Sequence, residues 1–147
     1  MKSTFPDELN KKIRSFLAHQ RTCIISTAET IGVWTIPALY RPVPESSGNP
    51  DHEVDCLVPR WSDVAHHLTQ EPKVVLIVQL SPSAGLSWLQ IQGTSRTVET
   101  PEWSQFLPRW VPTVRPEALY MVVRVTPSRI DLVNEDLGWG VQDTLEW

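Results

Sequence analysis

The stretch Val58-Pro59-Arg60-Trp61-Ser62-Asp63-Val64-Ala65-His66-His67-Leu68, followed by Glu71-Pro72-Lys73-Val74, orders the reading of the whole chain. Val54 to Val58 ahead of it is an apolar, β-branched run that reads as a strand. Ser62 is a residue that caps helices, and Trp61 to Gln70 reads as a short helix with Trp61, Val64, Ala65 and Leu68 on its inner face. Lys73 to Leu80 is almost wholly apolar, the pattern of a strand covered on both sides. The result is strand, turn, helix, strand.

Reading outward, Pro6 to His19 places Leu9, Ile13, Phe16 and Leu17 on one helical face, with Asp7 and Glu8 early and Lys11, Lys12 and Arg14 later, as the helix dipole favours. Thr22 to Ala28 and Val33 to Tyr40 read as two strands, separated by the hairpin-like break Glu29-Thr30-Ile31-Gly32. Pro42 to Pro50, rich in Pro, Ser and Gly, reads as a mobile loop. Ser87 to Glu99 alternates Leu89, Ile91 and Gly93 against Trp88, Gln90 and Gln92, a long two-faced strand. Pro101 to Trp110 reads as a short helix weakened by Pro108, and Leu119 to Thr126 and Arg129 to Asn134 as a final strand pair. Strands and helices do not alternate regularly, so the pattern predicts a mainly β, antiparallel barrel with a few short flanking helices.

The chain has 147 residues, a common size for one domain, and we read residues 1–147 as one. Its formal charge is −4, with 13 basic residues scattered and no basic stripe to meet a phosphate backbone, which argues against nucleic acid as a partner. No apolar run approaches the ~18 residues of a membrane span and no leader pattern opens the chain, so a cytoplasmic location is expected. In that compartment Cys23 and Cys56, both in apolar stretches, read as buried thiols. His66 and His67 are adjacent, about 100° apart on a helix, and cannot share a metal as an i, i+4 pair would. There is no G-x-S-x-G pattern for a hydrolytic nucleophile.

Several segments, in order, resemble the pyridoxamine 5'-phosphate oxidase-like proteins. Phe16-Leu17 leading into Cys23-Ile24-Ile25-Ser26-Thr27, then Gly32 and Pro37-Ala38-Leu39-Tyr40, looks like that family's first hairpin. Val58 to Leu68 with Glu71-Pro72-Lys73-Val74 is similar to its strand-to-helix turn and following strand, Gln92-Gly93-Thr94-Ser95-Arg96 to its glycine-bearing strand, and Pro127-Ser128-Arg129-Ile130-Asp131-Leu132 to its closing strand. The resemblance implies a six-stranded antiparallel split β-barrel (an FMN-binding split barrel) that pairs as a homodimer and binds FMN in two clefts at the subunit boundary. It implies a flavin-dependent oxidoreductase whose small-molecule substrate the sequence does not name. By the same resemblance the phosphate would be held by the strand bearing Tyr40 and Arg41 and by the turn Pro59-Arg60-Trp61-Ser62, with the ring near Val58 and Trp88.

The chemistry suits those residues: Arg41 and Arg60 can fork onto phosphate oxygens, Ser62 can donate from a helix start, and Trp88 can lie along a flavin edge or pack across a dimer interface. Each also has a plain structural use, Ser62 as an N-cap, Arg60 as a solvated turn residue and Arg41 as a surface residue opening the proline-rich loop. Trp139, between Gly138 and Gly140, could close over a pocket or anchor the tail. Where the family's flavin binders often place lysine two residues after the serine, this chain has Val64, with Asp63 between. That departure keeps a cofactor-free binding or scaffold barrel as the alternative, together with the same fold holding haem or a deazaflavin.

Overall fold

A computed structural model describes residues 6–29, 32–46, 48, 50–80, 86–106, 115–135 and 142–147. The elements run α1 (Pro6–His19), β1 (Thr22–Glu29), β2 (Gly32–Pro42), β3 (Val54–Pro59), α2 (Asp63–Leu68), β4 (Lys73–Gln79), β5 (Ser87–Val98), a 3-10 turn (Trp103–Gln105), α3 (Pro116–Leu119), β6 (Tyr120–Asn134) and β7 (Gln142–Glu146). All strand pairings are antiparallel. The sheet runs β3-β2-β1-β4-β5-β6-β7, and β3 also pairs with β6, so six strands close into a barrel with β7 as an outlying strand on β6. Closure is what the alternation in β5 asks for: Leu89 and Ile91 fill the interior at 0% exposure while Trp88 and Gln90 face out. Among the described residues no helix is long and apolar enough to cross a membrane.

The interior is filled by Ile25, Leu76, Leu89, Ile91, Val123 and Ile130, and α1 lays Leu9, Ile13 and Leu17 against it. Cys23 and Cys56 are both free and buried in this core; the hydrogen bond between the Cys56 thiol and Cys23, in which Cys56 donates, together with burial pushes the Cys56 thiol well above its usual range, which makes it inert as a nucleophile. Tyr40 is 1% exposed and its hydroxyl donates to the Leu17 carbonyl at 2.7 Å, fixing α1 to β2.

Three local readings of the sequence are corrected. The expected strand pair at the C-terminal end is one 15-residue strand, β6. The register on β5 slips between Gln92 and Gly93, so Gln92 faces Arg129 while Gly93 faces Pro127. Ser128 is the extra residue, and the proline without an N–H sits at a bulge in place of a turn. Helix α2 begins at Asp63 and ends at Leu68, because the Ser62 hydroxyl caps it; Trp61 lies outside it and is 81% exposed, not inward. Pro101 to Trp110 contains only the 3-10 turn among its described residues, with 107–110 lying outside them. Strand β7 was not expected from the sequence; of its five residues only Thr144 is buried.

The proline-rich loop returns to the barrel through His52, whose backbone lies at φ 60°. Its ring is 6% exposed, Nε2 lies 2.8 Å from Asn10 Oδ1 of α1, and Trp147 stands edgewise 5.9 Å away. Arg14 and Glu45 pair nearby at 2.6 Å. Burial lowers the His52 pKa from its usual 6.5, with Arg14 reinforcing the effect and Asp51 and Glu45 opposing it. The folded chain therefore takes up a proton less readily than the unfolded chain. Stability should be full above pH 6.5 and decline as the pH falls below it. Thermal unfolding across a pH series checks this, and His52→Asn, which keeps a residue tolerant of positive φ, should flatten that acid decline.

Candidate functional site

At the β3–α2 turn Ser62 is 5% exposed, donates from Oγ to the Pro59 carbonyl at 2.7 Å and accepts from the Ala65 amide at 3.1 Å. It is the helix cap, with its donor already committed. Arg60 donates its backbone N–H to the Leu119 carbonyl at 2.9 Å and Nε–H to the Glu117 carbonyl at 2.8 Å, which ties the turn to α3. The cleft beside it has a volume of about 210 Å³ and is also lined by Glu99, Trp103 and Glu117. Pro59, Arg60, Trp61 and Ser62 thus come together at one end of the barrel.

Arg41 sits at the other end of β3, opposite Asp55, and donates Nε–H to the Gln105 carbonyl at 2.5 Å. Arg41 heads a cross-strand row, Arg41–Asp55–Arg124–Arg96, on the outside of β2, β3, β6 and β5. Asp55 takes two bonds from Arg124, at 2.7 and 2.9 Å, and that hydrogen bond holds the guanidinium above its ordinary pKa. The side chains of Tyr40 and Val58 are enclosed in the barrel, at 1% and 0% exposure, and offer a ligand outside it nothing but backbone. Trp139 lies outside the described residues.

Trp88 is half-buried on the outer face of β5, next to a broader feature the sequence reading missed. Lys73 to Leu80 was expected to be covered on both sides. In the structure Val74, Leu76 and Val78 are buried while Val75 and Ile77 are only partly so. They share an outward face with β1 and β2: the register aligns Pro37–Ile24–Ile77–Gln90 in one row and Thr35–Ser26–Val75–Gln92 in the next. Ile24 is 42% and Leu39 38% exposed, and neither row carries a charge across these four strands. Four strands span about 14 Å, the width of a three-ring system with room at its edges. The alternation of β-branched residues in β1, β2 and β4 was the signal for this face, hidden in β4 because its outward residues are themselves apolar.

A solved structure from Listeria innocua that bears the provisional name pyridoxamine 5'-phosphate oxidase superposes on 86% of this chain and 98% of its own, with a TM-score of 0.68 and 14% sequence identity. The fold is the pyridoxamine 5'-phosphate oxidase-like split barrel. Two further split barrels carry ligand names. A FAD-binding protein from Mesorhizobium loti matches over 82% of this chain and 90% of its own (TM-score 0.56, 14% identity), and a heme binding protein from Mycobacterium smegmatis over 93% of this chain but 57% of its own (TM-score 0.66, 15% identity). No protein-family model and no curated protein matches the sequence.

Proposed function

We propose that this split barrel is an FMN-binding flavoprotein of oxidoreductase type, working as a homodimer, with the flavin against the outer face of β2, β1, β4 and β5. The observation that carries the reading is that face: two uncharged rows, the first apolar but for Gln90, with Trp88 at one margin and Arg41 on the same strand as Leu39 at the other. The residues present fit the group there better than at the β3–α2 turn, where the cleft beside Arg60 is small and shares its lining with two glutamates. Arg41 is held through Nε, and a guanidinium so held can still present its terminal nitrogens to phosphate oxygens. Trp88 and Ile77 would shield the ring from water, and the flavin when bound would supply the hydride or electron chemistry. Flavin is preferred to haem because the residues of the two rows include no histidine, cysteine or methionine to ligate iron. The same face supports the homodimer, since partly exposed isoleucines in a charge-free patch favour a cover of matching chemistry, and a second copy is self-complementary by symmetry.

Absorbance titration of the purified protein with FMN tests the proposal. Saturable binding is expected, and Arg41→Ala should weaken it about tenfold or more, the worth of a hydrogen bond to a charged group. A protein that takes up no FMN at all would leave the cofactor-free barrel as the reading.

A further inference from the structure

Trp61 is 81% exposed, more than any other large apolar side chain among the described residues. It is not on a loose segment. Pro59-Arg60-Trp61-Ser62 is a four-residue turn closed by the Ser62 amide on the Pro59 carbonyl at 3.1 Å, and it is tied down on both sides of the tryptophan. Arg60 is held by the Leu119 and Glu117 carbonyls, and Ser62 is fixed as the cap of α2. The indole is therefore held out into solvent by a fixed backbone, with the exposed Arg60 before it and the exposed Asp63 just beyond it. Exposed apolar residues scattered singly need no explanation, but a tryptophan on a rigid turn beside an arginine has the make-up of a binding anchor, since little freedom remains to be lost when it is covered.

The register puts this knob at the margin of the outward face. Strands β2 and β3 pair as far as Leu39–Leu57, and Pro37 and Pro59 each stand two residues further on. So β3 leaves the sheet beside Pro37, the first member of the row Pro37–Ile24–Ile77–Gln90. The same face carries a hole. Past the last β1–β4 pair, Ser26–Val75, an open groove of about 1360 Å³ runs on from Val75 and Gln92 to Val33, Glu71, Lys73 and Thr94. Val33, 68% exposed, lies at the opposite end of β2 from Arg41, and so away from the flavin phosphate. Trp61 is not among the residues that line the groove of its own chain. The charges of knob and groove are complementary: Arg60 and Asp63 flank the indole, Glu71 and Lys73 line the groove, and neither Asp63 nor Lys73 enters an ion pair among the described residues.

A second copy of the chain offers both halves at once, and a two-fold axis makes the contact twice. We propose that Trp61 of each protomer inserts into the far end of the other protomer's groove, against Val33, with Arg60 facing Glu71 and Asp63 facing Lys73. This contact rests on the homodimer proposed above and supplies the side chain that anchors it.

Sedimentation over a concentration series tests it. Trp61→Ala removes the anchor from both contacts; at about thirtyfold in affinity for each, the dimer should weaken by about a thousandfold. Val33→Glu, which sets a carboxylate where the indole would lie, should act similarly. Both positions are exposed in the single chain, so circular dichroism and the melting temperature of the dilute variants should match those of the dilute parent. A Trp61→Ala chain keeps its groove and a Val33→Glu chain keeps its tryptophan, so a mixed dimer retains one of the two contacts. At about a hundredfold above the parent's dissociation constant, each variant alone should sediment near 16.7 kDa and their equimolar mixture near twice that mass. A parent chain that stays at 16.7 kDa at every concentration overturns the homodimer, and this contact with it. A Trp61→Ala protein that dimerises like the parent, or a mixture no heavier than its components, overturns the contact and leaves the homodimer standing.

Discussion

Gly93→Ala should destabilise the fold by about 3 kcal/mol, at the upper end of what overpacking a buried position costs. The reason is the bulge. Gly93 is buried on β5 opposite Pro127, where the ladder to β6 slips by one residue. A methyl group there would press on the Thr126 carbonyl oxygen and lie 3.0 Å from the Thr126 carbonyl carbon and 3.1 Å from Pro127 Cα. All three are backbone atoms, fixed by the pairing of β6 with both β3 and β5, so no side chain can swing aside to make room. Urea unfolding measures the effect as a lower midpoint with an unchanged slope. Gly32→Ala is the control. Its added methyl would meet nothing nearer than the Trp34 ring edge at 3.9 Å, and its stability should stay within about 0.5 kcal/mol of the parent. A Gly93→Ala protein as stable as Gly32→Ala would mean that the bulge is not where the register places it.

That bulge also shows what the sequence could and could not disclose. Helix α1 was legible because its apolar face repeats at helical spacing and its charges agree with it, and the structure buries Leu9, Ile13 and Leu17 as expected. Strands β1, β2 and β3 were legible from β-branched runs and punctuation, and β5 from alternation. Pro127-Ser128 looked like a turn, because proline and serine mark turns when nothing else is known. Only the pairing with β5 distinguishes a bulge from a chain reversal, and pairing is a long-range property. Strand β7 has the opposite problem: Gln142, Asp143 and Glu146 are polar, and it is a strand because β6 offers an edge to pair with. Trp61 misled for a third reason. Large aromatic residues are usually core, yet Ser62 caps the helix and leaves the preceding residue in the turn, pointing to solvent. At the site, residue type alone drew attention to Arg41 and Arg60, while what holds each of them, the Gln105 carbonyl for Arg41 and the Glu117 carbonyl for Arg60, is a contact with a distant part of the chain that residue type does not disclose.

Ile77→Glu tests the functional reading most severely. Ile77 stands at the middle of the outward row, between Ile24 and Gln90, and its side chain points away from the barrel core. In a single chain the substitution puts a carboxylate on a surface that water already reaches, so circular dichroism and the melting temperature should change little. In a homodimer joined through this face the symmetry brings two such carboxylates towards each other in an uncharged patch. An unpaired buried charge of that kind costs about 3–5 kcal/mol, enough to separate most dimers of modest size. Sedimentation should then fall from twice 16.7 kDa to 16.7 kDa. FMN affinity should fall with it by more than tenfold, because the second wall of the cleft is lost. Arg41→Ala separates the two effects: it should weaken FMN while leaving the mass of the dimer unchanged. If Ile77→Glu is a monomer that still binds FMN as well as the parent, the flavin lies wholly within one chain. Arg60 and its cleft would then return as the place to look for the phosphate, with Glu99 and Glu117 as the residues to neutralise first.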